Sequence, residues 1–217
     1  MFKAIAVPAF ILALACGSGH AQSPSTHQHS FGNAEQWAHV FDDPKRDVWQ
    51  KPHEVIKALA LAPDAVVADI GAGTGYFSAR LATMLPQGRV FAADIEPSMV
   101  RYLSERAARE RLANMVPVLS HNDTPGLPVK VDLVLMVDTY HHILGREGYF
   151  RGLQGLLKPG GRIAIIDFSM DSPEGPPKQA RLTPAQVTGE MARAGYVLAA
   201  QHDFLPRQYF LVFRPAP

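Results

Sequence analysis

Val66-Val67-Ala68-Asp69-Ile70-Gly71-Ala72-Gly73-Thr74-Gly75-Tyr76-Phe77 decides the fold. Val66 to Ile70 is a short apolar run with one acid near its end, the pattern of a buried parallel strand. Three glycines follow at alternate positions. Without a Cβ, the backbone there can turn tightly and approach a ligand closely. From Tyr76 to Leu85 the apolar residues recur at helical spacing, and Pro86-Gln87-Gly88 stops them. Strand, glycine turn and helix in that order present unpaired helix N–H groups to an acceptor-rich ligand.

The spacing narrows the ligand. A dinucleotide fingerprint needs G-x-G-x-x-G/A, and here its third position is Tyr76, too bulky for close helix–strand packing. The chain reads D-x-G-x-G-x-G instead, with Asp69 two residues before Gly71. This resembles motif I of the class I methyltransferases that use S-adenosyl-L-methionine (SAM). Later segments resemble the other motifs in order. Gly88 to Asp94 is a second strand ending in an acid, at the offset of a carboxylate that takes ribose hydroxyls. Asp94-Ile95-Glu96-Pro97-Ser98-Met99 resembles motif II, Val116 to Asp123 motif III, Val131 to His142 the fourth strand and its functional end. Leu156 to Phe168 resembles the family's turn and fifth strand. The resemblance runs from Trp37 to the C-terminus. It implies a doubly wound α/β fold: a seven-stranded, mostly parallel sheet with an antiparallel last strand and helices on both faces.

The resemblance also implies a SAM site. Gly71, Gly73 and Gly75 form the cradle, Asp69 faces the ammonium end, and Asp94 accepts ribose hydroxyls with Ile95 beside it. Unpartnered buried carboxylates are costly, so a ligand donor rationalises both acids. Asn122 and Asp123 compete for the adenine amine, and Asp123 is preferred as the carboxylate. Asp138 ends the fourth strand on the cofactor side. In Asp138-Thr139-Tyr140-His141-His142, either histidine can take a proton near neutral pH, and Tyr140 joins them as a catalytic candidate. Adjacent histidines at a strand end point differently, so one of the two is expected to face the pocket. Trp49 either walls the site, where an aromatic face can hold a sulfonium, or fastens the segment before motif I; Trp37 is read as packing. The loop Ser169–Pro184 lies on the ligand side of the sheet as either a lid or a surface excursion.

Composition excludes several classes. The chain has 217 residues, 47% of them hydrophobic, enough for one domain with a sizeable core. Its net charge of +1 carries no basic field for nucleic acid or anionic lipid, and one cysteine excludes an internal disulfide. Residues 1–21 read as a signal peptide, with Lys3 before an apolar run too short to span a membrane and small residues before Gln22. Ala13 to Ser18 has a second reading, a lipoprotein box acylated at Cys16. Residues 22–34 read as a flexible linker whose His27 and His29 lack companions for a metal site, and 35–217 as the methyltransferase domain. The expectation is a periplasmic or secreted enzyme that methylates a small molecule. The rivals are an exported SAM-binding module without catalysis and an NAD-dependent oxidoreductase. Oligomeric state is not legible in the residues.

Overall fold

The computed structural model describes residues 32–217. The expected signal peptide, Cys16 and the linker up to Phe31 lie outside the described residues. Of the remaining linker positions, Asn33 caps the first helix and Ala34 is buried within it.

Seven strands form one sheet: β1 (Val66–Ile70), β2 (Arg89–Asp94), β3 (Met115–Leu119), β4 (Val131–Val137), β5 (Leu157–Phe168), β6 (Tyr196–His202) and β7 (Gln208–Pro215). Their order is β3-β2-β1-β4-β5-β7-β6. β7 runs antiparallel to both its neighbours, and β1 to β5 pair in parallel. Side chains alternate across this sheet, so each strand feeds two cores. Val67, Leu133 and Leu135 pack on one face with Val55, Phe77 and Leu103 of α3 (Pro52–Ala58), α4 (Tyr76–Met84) and α5 (Pro97–Arg109). Ala68, Val134 and Met136 pack on the other with Phe150 and Met191 of α6 (Arg146–Leu153) and α7 (Pro184–Arg193).

α5 ends at Arg109. Arg111 adopts a left-handed φ of +56°, and the Leu112 N–H donates back to the Ala107 carbonyl at 2.9 Å. That is a Schellman-type close, formed here without glycine. α6 ends at Leu153, where a 3-10 turn over Gln154–Leu156 leads directly into β5.

The topology positions the site. From β1 the chain proceeds outward to β2 and β3, then returns to place β4 and β5 on the other side. Connections leaving β1 and β4 therefore depart over opposite faces, opening a crevice at their C-terminal ends. α1 (Ala34–Phe41) and α2 (Arg46–Gln50) form a strap across that crevice. Tyr76, the bulky residue after the glycines, is its anchor. Its ring lies between the guanidinium groups of Arg46 and Arg80, at 4.3 and 4.0 Å from the ring centre, and its hydroxyl donates to Asp47. Asp42 accepts from Thr74 Oγ1 at 3.0 Å and Arg106 at 2.9 Å. The strap is thus bonded to α4, to the glycine turn and to α5. Among the described residues, no helix is long and apolar enough to cross a membrane.

Candidate active site

A cavity of about 1410 Å³ opens at the C-terminal ends of β1 to β5, roofed by the strap. It exceeds the roughly 300–1,000 Å³ of a pocket for one small ligand. The cavity has two chemically distinct ends.

One end is built on β1 and β2. Asp69 is buried and accepts from Ser78 Oγ at 2.6 Å. Burial pushes its carboxyl up to about 6, against the Ser78 hydrogen bond and with the Asp94 charge adding to the rise. Asp94 accepts the Gly73 N–H at 2.8 Å on one oxygen and the Glu96 N–H at 2.9 Å on the other. Burial raises its pKa despite those two bonds. A carboxylate has about four acceptor positions, so two remain for ligand hydroxyls. The glycines divide the labour. A Cβ on Gly71, at φ +73°, would overlap the Thr139 side chain; one on Gly75 would come within 2.7 Å of Leu103. Those two serve close packing, and Gly75 does not border the cavity. Gly73 does, and a Cβ there would meet only Phe41, at 3.3 Å.

The other end is built on β4 and β5. His141 is buried, and its Nδ1 lies 2.8 and 3.0 Å from the two oxygens of Asp167. Asp167 thereby holds the proton on Nδ1. Burial would lower the pKa of His141; the hydrogen bond and charge of Asp167, with Asp138 behind, outweigh it and raise it. Asp138 stands between the two ends at a left-handed φ of +55°. It accepts from Gln208 Nε2 at 2.6 Å and Gln50 Nε2 at 3.1 Å, with Arg46 at 3.9 Å. Burial pushes its carboxyl up to about 6, with the Asp167 charge adding and Arg46 opposing.

Trp49 and the segment after β5 wall this second end. The Trp49 ring lies 5.9 Å from Phe168, with the Arg207 guanidinium 5.5 Å from it. Arg207 pairs with Glu174, which borders the cavity with Gly175, Pro176 and Pro177. One residue shapes this wall. The guanidinium of Arg181 donates to the backbone carbonyls of Ser169, Met170, Ser172, Glu174 and Pro176, at 2.7–3.4 Å. A loop without strand or helix of its own is thereby held in one shape. Arg181→Met should speed limited proteolysis within residues 169–177 about tenfold, equivalent to roughly 1.4 kcal/mol of local stability. The melting temperature should fall little by comparison. An unchanged cleavage rate would show that the proline-rich segment holds its shape unaided.

The structure places most sequence candidates around this cavity and corrects four expectations, the first being Gly75, which packs on Leu103 away from it. Asp69, Gly71, Gly73, Asp94, Ile95, Asn122, Asp138, Trp49, His141 and His142 border it. Tyr140 does not: it is fully buried, and its hydroxyl donates to Glu190 at 2.7 Å. Asp123 is exposed and turned away, because β3 stops at Leu119 and paired bonds between His121 and Thr124 close a tight turn. Only one histidine was expected to face the pocket, yet both border it. Tyr140–His142 is a 3-10 turn rather than strand, which sets the two rings side by side at 4.1 Å. Trp37 stacks on Phe41 at 5.4 Å and also borders the cavity. Asp167, Gln50, Gln208 and Arg181 were not singled out. Asp167 carried a usable signal, an acid at the ligand-side end of a strand; the other three acquire partners only through tertiary contact.

Residues 68–163 match the family model described as "Methyltransferase domain". The match spans β1 to the middle of β5, the strands that carry the cavity. The chain is similar to a SAM-dependent methyltransferase from Aquifex aeolicus, with a TM-score of 0.77 and 24% identity over 83% of this chain and 97% of that one. The fold is therefore the Rossmann-like methyltransferase fold. Among curated relatives, the chain is 28% identical over 144 residues to erythromycin 3''-O-methyltransferase of Saccharopolyspora erythraea, 63% of this chain and 47% of the relative. It is 32% identical over 114 residues to demethylmenaquinone methyltransferase of Tropheryma whipplei, 52% of this chain and 46% of the relative. The chain thus spans about half the length of these relatives. The cavity's carboxylate end fits SAM on structural grounds. Two buried carboxylates with raised pKa suit a cationic ligand with ribose hydroxyls, and Gly73 leaves the approach open. The dinucleotide fingerprint is not met: Tyr76 stands at its third glycine position, with its ring between the guanidinium groups of Arg46 and Arg80.

Proposed function

We propose that this chain binds SAM across the β1–β2 end of the cavity and catalyses methyl transfer to a small-molecule acceptor held at the β4–β5 end. The observation that carries this reading is the shared cavity: backbone-fixed carboxylates at one end, a buried His–Asp pair at the other. Asp94 holds the ribose and Asp69 the ammonium, with Asn122 of the β3 turn on the adenine side. When bound, SAM supplies a methyl group already activated on a sulfonium. The remaining work is alignment, exclusion of water and removal of one proton. His141 takes that proton from the acceptor, and Asp167 stabilises the imidazolium. The small-molecule class is supported by the relatives, whose names refer to erythromycin and demethylmenaquinone. Export, with residues 1–21 as a cleaved leader, belongs to the same proposal and rests on the residue pattern alone.

Calorimetry tests the reading. SAM and S-adenosylhomocysteine should bind and NAD should not; the reverse order would overturn it. The pH dependence identifies Asp69. Its carboxyl is pushed up to about 6 in the ligand-free protein, so it is largely protonated at pH 5. A cationic ligand stabilises the carboxylate and pulls its pKa down. Binding below pH 6 therefore releases a proton, and SAM affinity weakens towards about tenfold per pH unit as pH falls. Asp69→Asn should flatten that slope. Equal slopes in both proteins would remove Asp69 from the cofactor site.

A further inference from the structure

SAM carries a carboxylate as well as a cation, and the acids at the β1–β2 end do not account for it. Asp69, Asp94 and Glu96 all border the cavity there, so a ligand carboxylate needs a cation to offset their charge. Among the described residues, three lysine and arginine side chains border the cavity: Lys45, Arg46 and Arg207. Lys45 is exposed, and Arg207 is paired with Glu174 beside Trp49 at the β4–β5 end. Arg46 differs from both. Its side chain is only 16% exposed and is fixed against the glycine turn. The guanidinium lies 4.3 Å from the ring centre of Tyr76, the first residue of α4, and donates to the carbonyl of Phe41, whose ring packs where a Gly73 Cβ would point. Its Nε donates to Gln50 at 2.9 Å. Its Nη2 reaches no acceptor at hydrogen-bond distance among the described residues. Asp138 stands 3.9 Å away, with its two oxygens already accepting from Gln50 and Gln208. Burial lowers the Arg46 pKa, and the charges of Asp138, Tyr76 and Asp42 do not restore it. A guanidinium so placed still has donors to offer, in the planar fork that matches a carboxylate.

We infer that Arg46 binds the carboxylate of the methionine portion of SAM, so that the strap as well as the sheet recognises the amino-acid end of the cofactor. This inference rests on the SAM reading above and deepens it. The ammonium and carboxylate of an amino acid share one carbon, so their partners must stand close together. Asp69 lies near the end of β1. Arg46 reaches from the first residue of α4, which follows β1 through the glycine turn, towards Asp138 at the end of β4, which pairs with β1. The ligand's carboxylate supplies the acceptor that Asp138 does not.

A pair of ligands probes this directly: S-adenosylhomocysteine, and its decarboxylated analogue, which keeps the amine, the thioether and the nucleoside. Each is titrated calorimetrically into the full chain. Wild type should prefer S-adenosylhomocysteine by about tenfold to a hundredfold, the contribution of a charge-assisted hydrogen bond. Arg46→Gln should lose that preference. A loosened strap would weaken both ligands alike and leave the preference intact, so the ratio isolates the carboxylate. Arg46→Lys, which keeps the charge without the fork, should show an intermediate preference. Equal affinities for the two ligands in wild type, or a wild-type preference retained in Arg46→Gln, would overturn the inference. If Arg46→Gln does not fold, an undiminished preference in Arg46→Lys would do the same. Failure of the wild-type chain to bind either ligand would instead overturn the reading beneath it.

Discussion

Asp94→Ala is expected to weaken binding of S-adenosylhomocysteine at least a hundredfold. Asp94 lies where β2 ends, with one oxygen on the Gly73 N–H and the other on the Glu96 N–H. Alanine removes the acceptor for both ribose hydroxyls. A hydrogen bond to a charged group contributes about 1.5–3 kcal/mol, so two account for roughly 3–6 kcal/mol before any relaxation. It also frees the Gly73 amide, which loosens the turn that approaches the ligand most closely. Calorimetric titration at pH 7.5 gives the affinity, and circular dichroism establishes that the sheet persists. An unchanged dissociation constant in a folded variant would mean that the ribose lies elsewhere. The companion variant Asp94→Asn separates the two effects. It retains an acceptor for one amide but loses the charge, and its affinity should fall between those of wild type and alanine.

The second large effect lies on the opposite face of the sheet. Glu190→Ala is expected to lower the unfolding free energy by about 3–5 kcal/mol, the usual cost of leaving one member of a buried ion pair alone. Glu190 on α7 accepts two bonds from Arg146 on α6, at 2.6 and 3.0 Å, and one from the Tyr140 hydroxyl at 2.7 Å. Arg146 and Glu190 are both buried, so no water replaces the lost carboxylate. The melting temperature of a domain this size should fall by roughly 6–20 °C. Urea unfolding measures the free energy directly. A loss under about 1 kcal/mol would show the pair to be surface-like in its energetics. The pH sign follows from the carboxyl of Glu190: burial would raise its pKa, but the Arg146 and Tyr140 hydrogen bonds outweigh that and lower it. The stabilisation is therefore present above the ordinary carboxylate range and is lost as pH falls through the lowered value. Glu190→Ala should abolish that acid-side dependence.

These two residues show how differently the site could be read beforehand. Asp94 is legible because its role is local. A strand, an acid at its end and a fixed offset from a glycine turn are all properties of consecutive residues. Tyr140 looked equivalent, a polar aromatic beside two histidines in a segment that ends a strand. Its partner Glu190 lies 50 positions further on, and only the docking of α6 against α7 brings the two together. The histidines misled in a related way. Treated as strand residues they should alternate across the sheet, but the chain leaves β4 through the left-handed Asp138 into a 3-10 turn, and the alternation lapses. Asp123 failed in a related way: β3 stops at Leu119, and the turn closed between His121 and Thr124 leaves the Asp123 side chain exposed.

The sequence by itself determined the order of strands and helices, the glycine turn, the acids that end β1 and β2, and the apolar runs that make the sheet buried on both faces. Period-2 and period-3.6 patterns and turn chemistry act between near neighbours, so a linear reading captures them. Only the tertiary structure decided what the polar residues do after burial. It joined His141 to Asp167 across 26 positions, Gln50 to Asp138 across 88, and Arg181 to five carbonyls of one loop. A buried polar group must find a partner or bear its desolvation cost, and which partner it finds depends on which elements the fold sets side by side.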